Sequence, residues 1–224
     1  MNQNYNRKLA VVDLDGTLIK GQSQRGLVNY LYSSGYVGIF YMLRLNLWFV
    51  MYKLGVVDEV KKILTTGLQY IKGKTEKHVA DIVDKYIEGV ILKNVYPKSM
   101  NLIQDLHVEG YSVLMLSTAV EPIVSKMAKL FHTDDYLCTK LESINGRYTG
   151  DIEGLVLYGE NKIDALKAYI NGKGYSINDV VAYADHKSDI PMLRIVGKAY
   201  LVNPDSKIVE LAKENNIGII DLRI

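Results

Sequence analysis

A single cysteine, Cys138, is present in this 224-residue chain, so no internal disulfide can form and the usage fits a reducing compartment. That cysteine reads as a small apolar filler on a strand. An excess of charge is missing too: Lys and Arg total 27 against 25 Asp and Glu, and no block of five basic residues occurs. The expectation is therefore no nucleic-acid partner. Internal repeats and low-complexity tracts are absent, and 48% apolar with 23% charged residues excludes wholesale disorder. Residues 1–8 are polar and lack the apolar segment of a signal peptide, so the expected location is cytoplasmic.

What is present starts with Leu9-Ala10-Val11-Val12, an apolar run that stops abruptly at Asp13-Leu14-Asp15-Gly16-Thr17-Leu18. Four apolar residues flanked by polar ones predict a strand buried on both faces of a parallel sheet. The carboxylates leave it at the sheet edge where open α/β sheets bind ligands. Two acids spaced i, i+2 at a strand end suit a metal ion together with a phosphate. The alternative is an Asp cap followed by a Gly turn.

From about Ser23 to Lys93 only helical periodicity is found, as in Val60, Ile63, Leu64, Leu68 and Ile71, and again in Val79, Ile82, Val83, Tyr86 and Ile87. This predicts about four helices inserted after the first strand. From Pro97 onward strands and helices alternate. Strands are expected at Ser112–Leu116, Tyr136–Thr139, Val180–Ala184, Ala199–Val202 and Gly218–Ile220. Helices are expected from Pro97 to His107, at Glu121–Phe131, at Lys162–Ile170 with Asn161 as cap, after Ser188, and at Asp205–Asn215. Asn145-Gly146 marks a hairpin between Thr139–Ile144 and Arg147–Glu153. The fold class is α/β, a doubly wound, mostly parallel sheet. Its core is expected over residues 1–19 and 95–224, with a helical cap over 20–94.

Asp13-x-Asp15-Gly16-Thr17-Leu18 resembles the first motif of the haloacid dehalogenase superfamily, the aspartate-nucleophile phosphatases. Later residues match its order. Ser117-Thr118 follows the second strand, Lys162 opens a helix, and Asp185-His186-Lys187-Ser188-Asp189 follows the Val180–Ala184 strand. A cap after the first motif, with Leu141-Glu142, Thr149-Gly150 and Val202-Asn203-Pro204, is similar to the phosphoserine-phosphatase-like branch. The resemblance implies a Rossmann-like sheet and a Mg²⁺-dependent phosphatase acting on a small-molecule phosphomonoester. It makes Asp13 the nucleophile and Asp15 the acid–base. Ser117 would hold a phosphate oxygen with Thr118 next to it, and Lys162 would offset charge. Mg²⁺ would sit on Asp13, the Asp15 carbonyl and Asp185, with Asp189 supporting.

This chain departs from true phosphoserine phosphatases in two places. Gln22 stands where they carry an acid for the substrate ammonium, and Gly16 where they usually carry Ser. The fourth motif has Ala184 and His186 where Gly and Ser are common, and His186 is within sequence reach of the metal pocket. A phosphoserine phosphatase, a phosphotransferase and an inactive binding module therefore stay open as alternatives.

One stretch approaches the length of a membrane span: Tyr36 to Tyr52, YVGIFYMLRLNLWFVMY, with Arg44 its one charge. A crossing here would part Asp13 and Asp15 from Ser117, Lys162 and Asp185, so spanning is excluded. A packed cap helix remains, or one offering an apolar face to substrate or to a bilayer surface. The apolar stretch raises the expectation of a leaving group with apolar bulk. Nothing in the sequence fixes the oligomeric state.

Overall fold

The computed structural model describes residues 7–53 and 60–223; residues 1–6 of the polar N-terminal stretch and 54–59 of the helical region lie outside them. The apolar run becomes β1 (Lys8–Val12). Four helices follow: α1 (Ser23–Ser33), α2 (Ile39–Lys53), α3 (Val60–Leu68) and α4 (Glu76–Gly89). The alternating part then runs α5 (Ser99–Val108), β2 (Tyr111–Val120), α6 (Glu121–Leu130), β3 (Asp135–Ile144) and β4 (Arg147–Glu153). It continues through α7 (Glu160–Lys173), β5 (Val180–Ala184), α8 (Ile190–Ile195), β6 (Lys198–Val202), α9 (Ser206–Glu214) and β7 (Gly218–Ile220).

The seven strands lie in the order β4-β3-β2-β1-β5-β6-β7. Every pairing is parallel except the β3–β4 hairpin. β1 sits between β2 and β5, where Val12 is in register with Met115 and with Tyr183. The chain winds away in opposite directions on its two sides, which makes the end of β1 the crevice of the sheet. Alternation along β1 splits the core. Ala10 and Val12 join Val113, Met115, Ile123 and Phe131 on one face, while Leu9 and Val11 join Leu114, Leu116 and Leu166 on the other. The first cluster also takes in Val79, Val83, Tyr86, Ile87 and Ile91, so the inserted helices share the sheet's own core.

The β3–β4 hairpin clasps the α3–α4 turn. Gly73 donates its amide to the Tyr148 carbonyl at 2.7 Å, Tyr148 returns one to Lys74 at 3.0 Å, and Glu76 donates to Gly146 at 3.1 Å. Thr75 caps α4 by accepting from the His78 amide.

Several boundaries differ from expectation. β2 continues through Ser117 and Thr118 to Val120, because the pairing with β3 shifts register between Leu116 and Val120 instead of ending. β3 is one strand where a short strand and a separate hairpin arm were expected: its first half pairs with β2 and its second with β4. α7 starts at Glu160, and Asn161 is not its cap; the Asn161 amide donates to the Val156 carbonyl instead. The helix passes Gly172 and ends at Gly174, whose φ of 74° closes it in the left-handed region. Ser188 caps nothing. A 3₁₀ turn at Lys187–Asp189 precedes α8, and there the His186 ring accepts from the Ser188 amide.

Candidate active site

The end of β1 is pinned before it turns. Asp13 donates its amide to Tyr183 O at 2.9 Å, continuing the β1–β5 ladder by one residue. The chain then folds back in a tight loop, with Gly16 N on Ile19 O at 2.8 Å and Leu18 N on Leu14 O at 2.9 Å. Gly16 has a φ of +78°, which favours glycine. Asn203, after β6, donates from Nδ2 to the Gly16 carbonyl at 3.4 Å, and its Oδ1 accepts from Leu222 N at 2.7 Å.

Lys162, in the first turn of α7, joins the other motifs. Its Nζ donates to Asp13 Oδ1 at 3.1 Å and to Asp189 Oδ1 at 2.9 Å, and all three side chains are less than a tenth exposed. Asp185 stands at the end of β5, and Asp13, Asp185 and Asp189 offer carboxylate oxygens all within 4.8 Å of one another. Asp189 stands at the start of α8 but makes no cap bond there; it spends Oδ1 on Lys162. Asp13, the helix lysine and both fourth-motif acids are therefore brought into one place.

Asp15 is held differently. Ser23, the first residue of α1, gives its amide to Oδ1 at 2.8 Å and its hydroxyl to Oδ2 at 3.0 Å. Tyr86 of α4 donates to the Ser23 carbonyl at 2.8 Å, so two helices position one carboxyl group. Ser117 is buried in β2, two residues past the partner of Val12, and its oxygen accepts from Ala119 N at 3.2 Å.

Of the other expected residues, Thr118 and His186 are directed elsewhere, and Gln22 lies at a cavity beside Ser23. Thr118 donates to the Leu157 carbonyl at 2.7 Å, which ties the strand to the loop before α7; alternation along β2 turns it away from Ser117. Gln22 is exposed at the N-terminal boundary of α1 with no cap bond, and it lines a cavity of about 320 Å³ together with Lys20, Ser23, Asn29, Tyr86 and Asn94. His186 is exposed, and its Nδ1 lies 2.8 Å from the Ser188 hydroxyl, so it does not reach into the carboxylate cluster.

Charge is unbalanced here. Burial raises the pKa of Asp13, Lys162 pulls it down, and Asp189, Asp185 and Asp15 add to the rise. Burial alone would lower Lys162, but Asp13 and Asp189 more than offset it and hold the ammonium charged. Burial and then Asp189 push Asp185 up to about 7. Burial also raises Asp15, to about 6, against the two bonds from Ser23. Carboxylates with one ammonium among them form an all-oxygen donor set with surplus negative charge. That is the chemistry a hard divalent cation such as Mg²⁺ fits.

Sequence reasoning missed Thr17, Ser23, Tyr86 and Asn203 as parts of the site. Thr17 is fully buried and its hydroxyl donates to Asp185 Oδ1 at 3.4 Å. The available signals were small: Thr17 inside the first motif, Ser23 as the start of a helix, Asn203 in a strand-end Asn-Pro.

The family model of haloacid dehalogenase-like hydrolases matches residues 10–194. A histidinol-phosphatase of Neisseria meningitidis serogroup C (strain 8013) is 28% identical over 97% of this chain and 100% of its own. Phosphoserine phosphatase SerB1 of Mycobacterium tuberculosis is 26% identical over 96% of this chain and 71% of its own. A solved phosphoserine phosphatase carrying a phospho-aspartyl intermediate analogue shares the fold, with a TM-score of 0.67 at 20% identity, over 98% of this chain and 94% of that one. With the family model matching 185 of its 224 residues, the chain belongs to the haloacid dehalogenase-like hydrolases.

Proposed function

We propose that the chain is a Mg²⁺-dependent phosphatase that hydrolyses a small-molecule phosphomonoester through an aspartyl-phosphate on Asp13. The observation that carries this reading is the buried bridge from Lys162 to both Asp13 and Asp189 beside the Asp185 carboxylate. A buried ion-pair network is a poor device for stability. It is a good one for holding a nucleophile and receiving a dianionic phosphoryl group.

In the first step an Asp13 carboxylate oxygen attacks phosphorus, and the bond from phosphorus to the leaving oxygen breaks. Asp15, raised toward neutrality and held by Ser23, gives its proton to that oxygen. In the second step Asp15 takes a proton from a water molecule that attacks the same phosphorus, and Asp13 and inorganic phosphate are released. Lys162 offsets charge on both the nucleophile and the transferring group, and the Ser117 hydroxyl donates to a phosphoryl oxygen. Asp13, Asp185 and the Asp15 carbonyl would hold Mg²⁺, with Asp189 behind, and the bound ion would supply positive charge to the phosphoryl oxygens.

Residues 20–94 act as a cap over a core made of 1–19 and 95–224. The cavity beside Ser23 is the site for the leaving group. Its described lining has no carboxylate, so a substrate ammonium would have no counter-charge there. That favours a neutral or anionic leaving group over phosphoserine. α2 contributes nothing to this lining, so its apolar residues do not argue for an apolar leaving group; Ile19, Val90 and Ile91 supply what apolar wall there is.

Phosphate release from an aryl phosphate, with and without Mg²⁺, tests the reading. Wild type should turn over only with the metal, and Asp13→Asn should lose at least about 10⁴-fold in kcat while staying folded. Borohydride reduction during turnover should label Asp13. Metal-independent turnover, or retained turnover in Asp13→Asn, overturns the assignment.

A further inference from the structure

Helix α2 is apolar on both sides. Tyr41 and Met42 pack against the small core of Leu31, Val37 and Ile82, and the Tyr41 hydroxyl donates to the Gly67 carbonyl. The opposite side is open: Phe40 is 85% exposed, Leu43 57% and Leu47 59%, with Ile39 and Val50 also exposed. Successive helical residues turn by about 100°, which places these five on one continuous arc about 100° wide. Arg44 borders the arc on one side and Asn46 on the other, and both are exposed. Tyr32 and Tyr36 are exposed just before the helix begins.

The charge of this part of the chain has one sign. From Gly16 to Val57 the sequence has no Asp or Glu, but it carries Lys20, Arg25, Arg44 and Lys53. That is four positive charges in a chain whose total is +2. A second copy docked on the same face would set two such segments together with no acid in either to pair them. An anionic lipid surface complements both features: acyl chains cover the apolar arc, while Arg44 and the tyrosines sit at headgroup level. No helix among the described residues is long and apolar enough to cross a membrane, so the contact is with the surface.

We propose that the exposed face of α2 docks the protein on anionic bilayers, through the arc of Ile39, Phe40, Leu43, Leu47 and Val50. The proposal is independent of the catalytic reading.

Flotation of the full chain with vesicles tests it, comparing phosphatidylcholine alone with phosphatidylcholine containing about one-third phosphatidylglycerol. The chain should float with the anionic vesicles and be released by salt. Phe40→Glu and Leu47→Glu should each lower the partition coefficient about tenfold or more. Arg44→Gln should lower it about fivefold. These side chains are exposed, so thermal melting by circular dichroism should not change. Three results would each overturn the proposal: no flotation with either vesicle, equal flotation with both, or flotation untouched by the arc variants. A concentration-dependent dimer in sedimentation equilibrium that Leu47→Glu dissolves would assign the face to a second copy instead.

Discussion

A Cβ placed on Gly16 would lie 1.9 Å from Oδ2 of Asp185. The loop after β1 and the end of β5 therefore meet at a point where only a hydrogen fits, and Gly16 is also in the left-handed region. A glycine inside the first motif thus bears on the position of a carboxylate 169 residues later in the chain.

Gly16→Ala should push the Asp185 carboxylate aside and strain the loop, at a cost of about 1–3 kcal/mol. Because Asp185 is an expected Mg²⁺ ligand, the metal concentration for half-maximal activity should rise by about 10–100-fold. Titration of phosphate release with Mg²⁺ reads this directly, and an unchanged midpoint would refute it.

Lys162→Met should leave Asp13 and Asp189 buried without their counter-charge. Removing one partner of a buried ion pair costs about 3–5 kcal/mol. Urea unfolding should show that loss without metal, and saturating Mg²⁺ should recover more stability in the variant than in wild type.

Ser23→Ala removes the hydroxyl that donates to Asp15 Oδ2 at 3.0 Å and keeps the amide bond to Oδ1. Without that bond burial raises Asp15 further and the carboxyl loses one of its two anchors, so a weaker and less well placed acid should deliver its proton about tenfold more slowly. The deficit should be large in kcat for alkyl phosphates and small for nitrophenyl phosphate, whose leaving group needs no proton. Equal losses on both substrates would rule out a role for Ser23 in protonating the leaving group.

Cys138 should resist alkylation. Burial pushes its thiol up to about 12, so at pH 8 the neutral form dominates, and the thiolate is the form that reacts. Iodoacetamide should label the native chain far more slowly than the urea-unfolded chain. Mass spectrometry over a time course measures the ratio, and equal rates would place the sulfur at the surface.

The parts legible in the sequence were those set by local chemistry. Leu9–Val12 and Val180–Ala184 are short apolar runs that form buried strands, and Asp13, Lys162, Asp185 and Asp189 follow strand or helix boundaries in a fixed order. What the sequence hid depends on partners far away. Ser117 looked like a residue after a strand, but pairing with β3 carries the strand beyond it. Asn161 has the chemistry of a cap, yet the Val156 carbonyl claims its amide. Ser23 looked like an ordinary helix start until the fold set it against Asp15. In α2 every residue but Arg44, Asn46 and Lys53 is apolar or aromatic, so periodicity could not tell the packed side from the open one.

The placement of β1 in the middle of the sheet has a consequence for how the protein is made. β1 is the first strand to be synthesised, but its neighbours begin at Tyr111 and Val180. The bond from Lys162 to Asp13 closes a loop of 149 residues. Contacts so distant in sequence carry their loop-closure entropy before any reward, and folds rich in them form slowly. On the ribosome Asp13 has to wait, unpaired at the edge of an incomplete sheet, until most of the chain has emerged. Catalytic competence should therefore appear late and in one step, so that turnover in a nascent or truncated chain reports arrival of the Asp185–Asp189 segment.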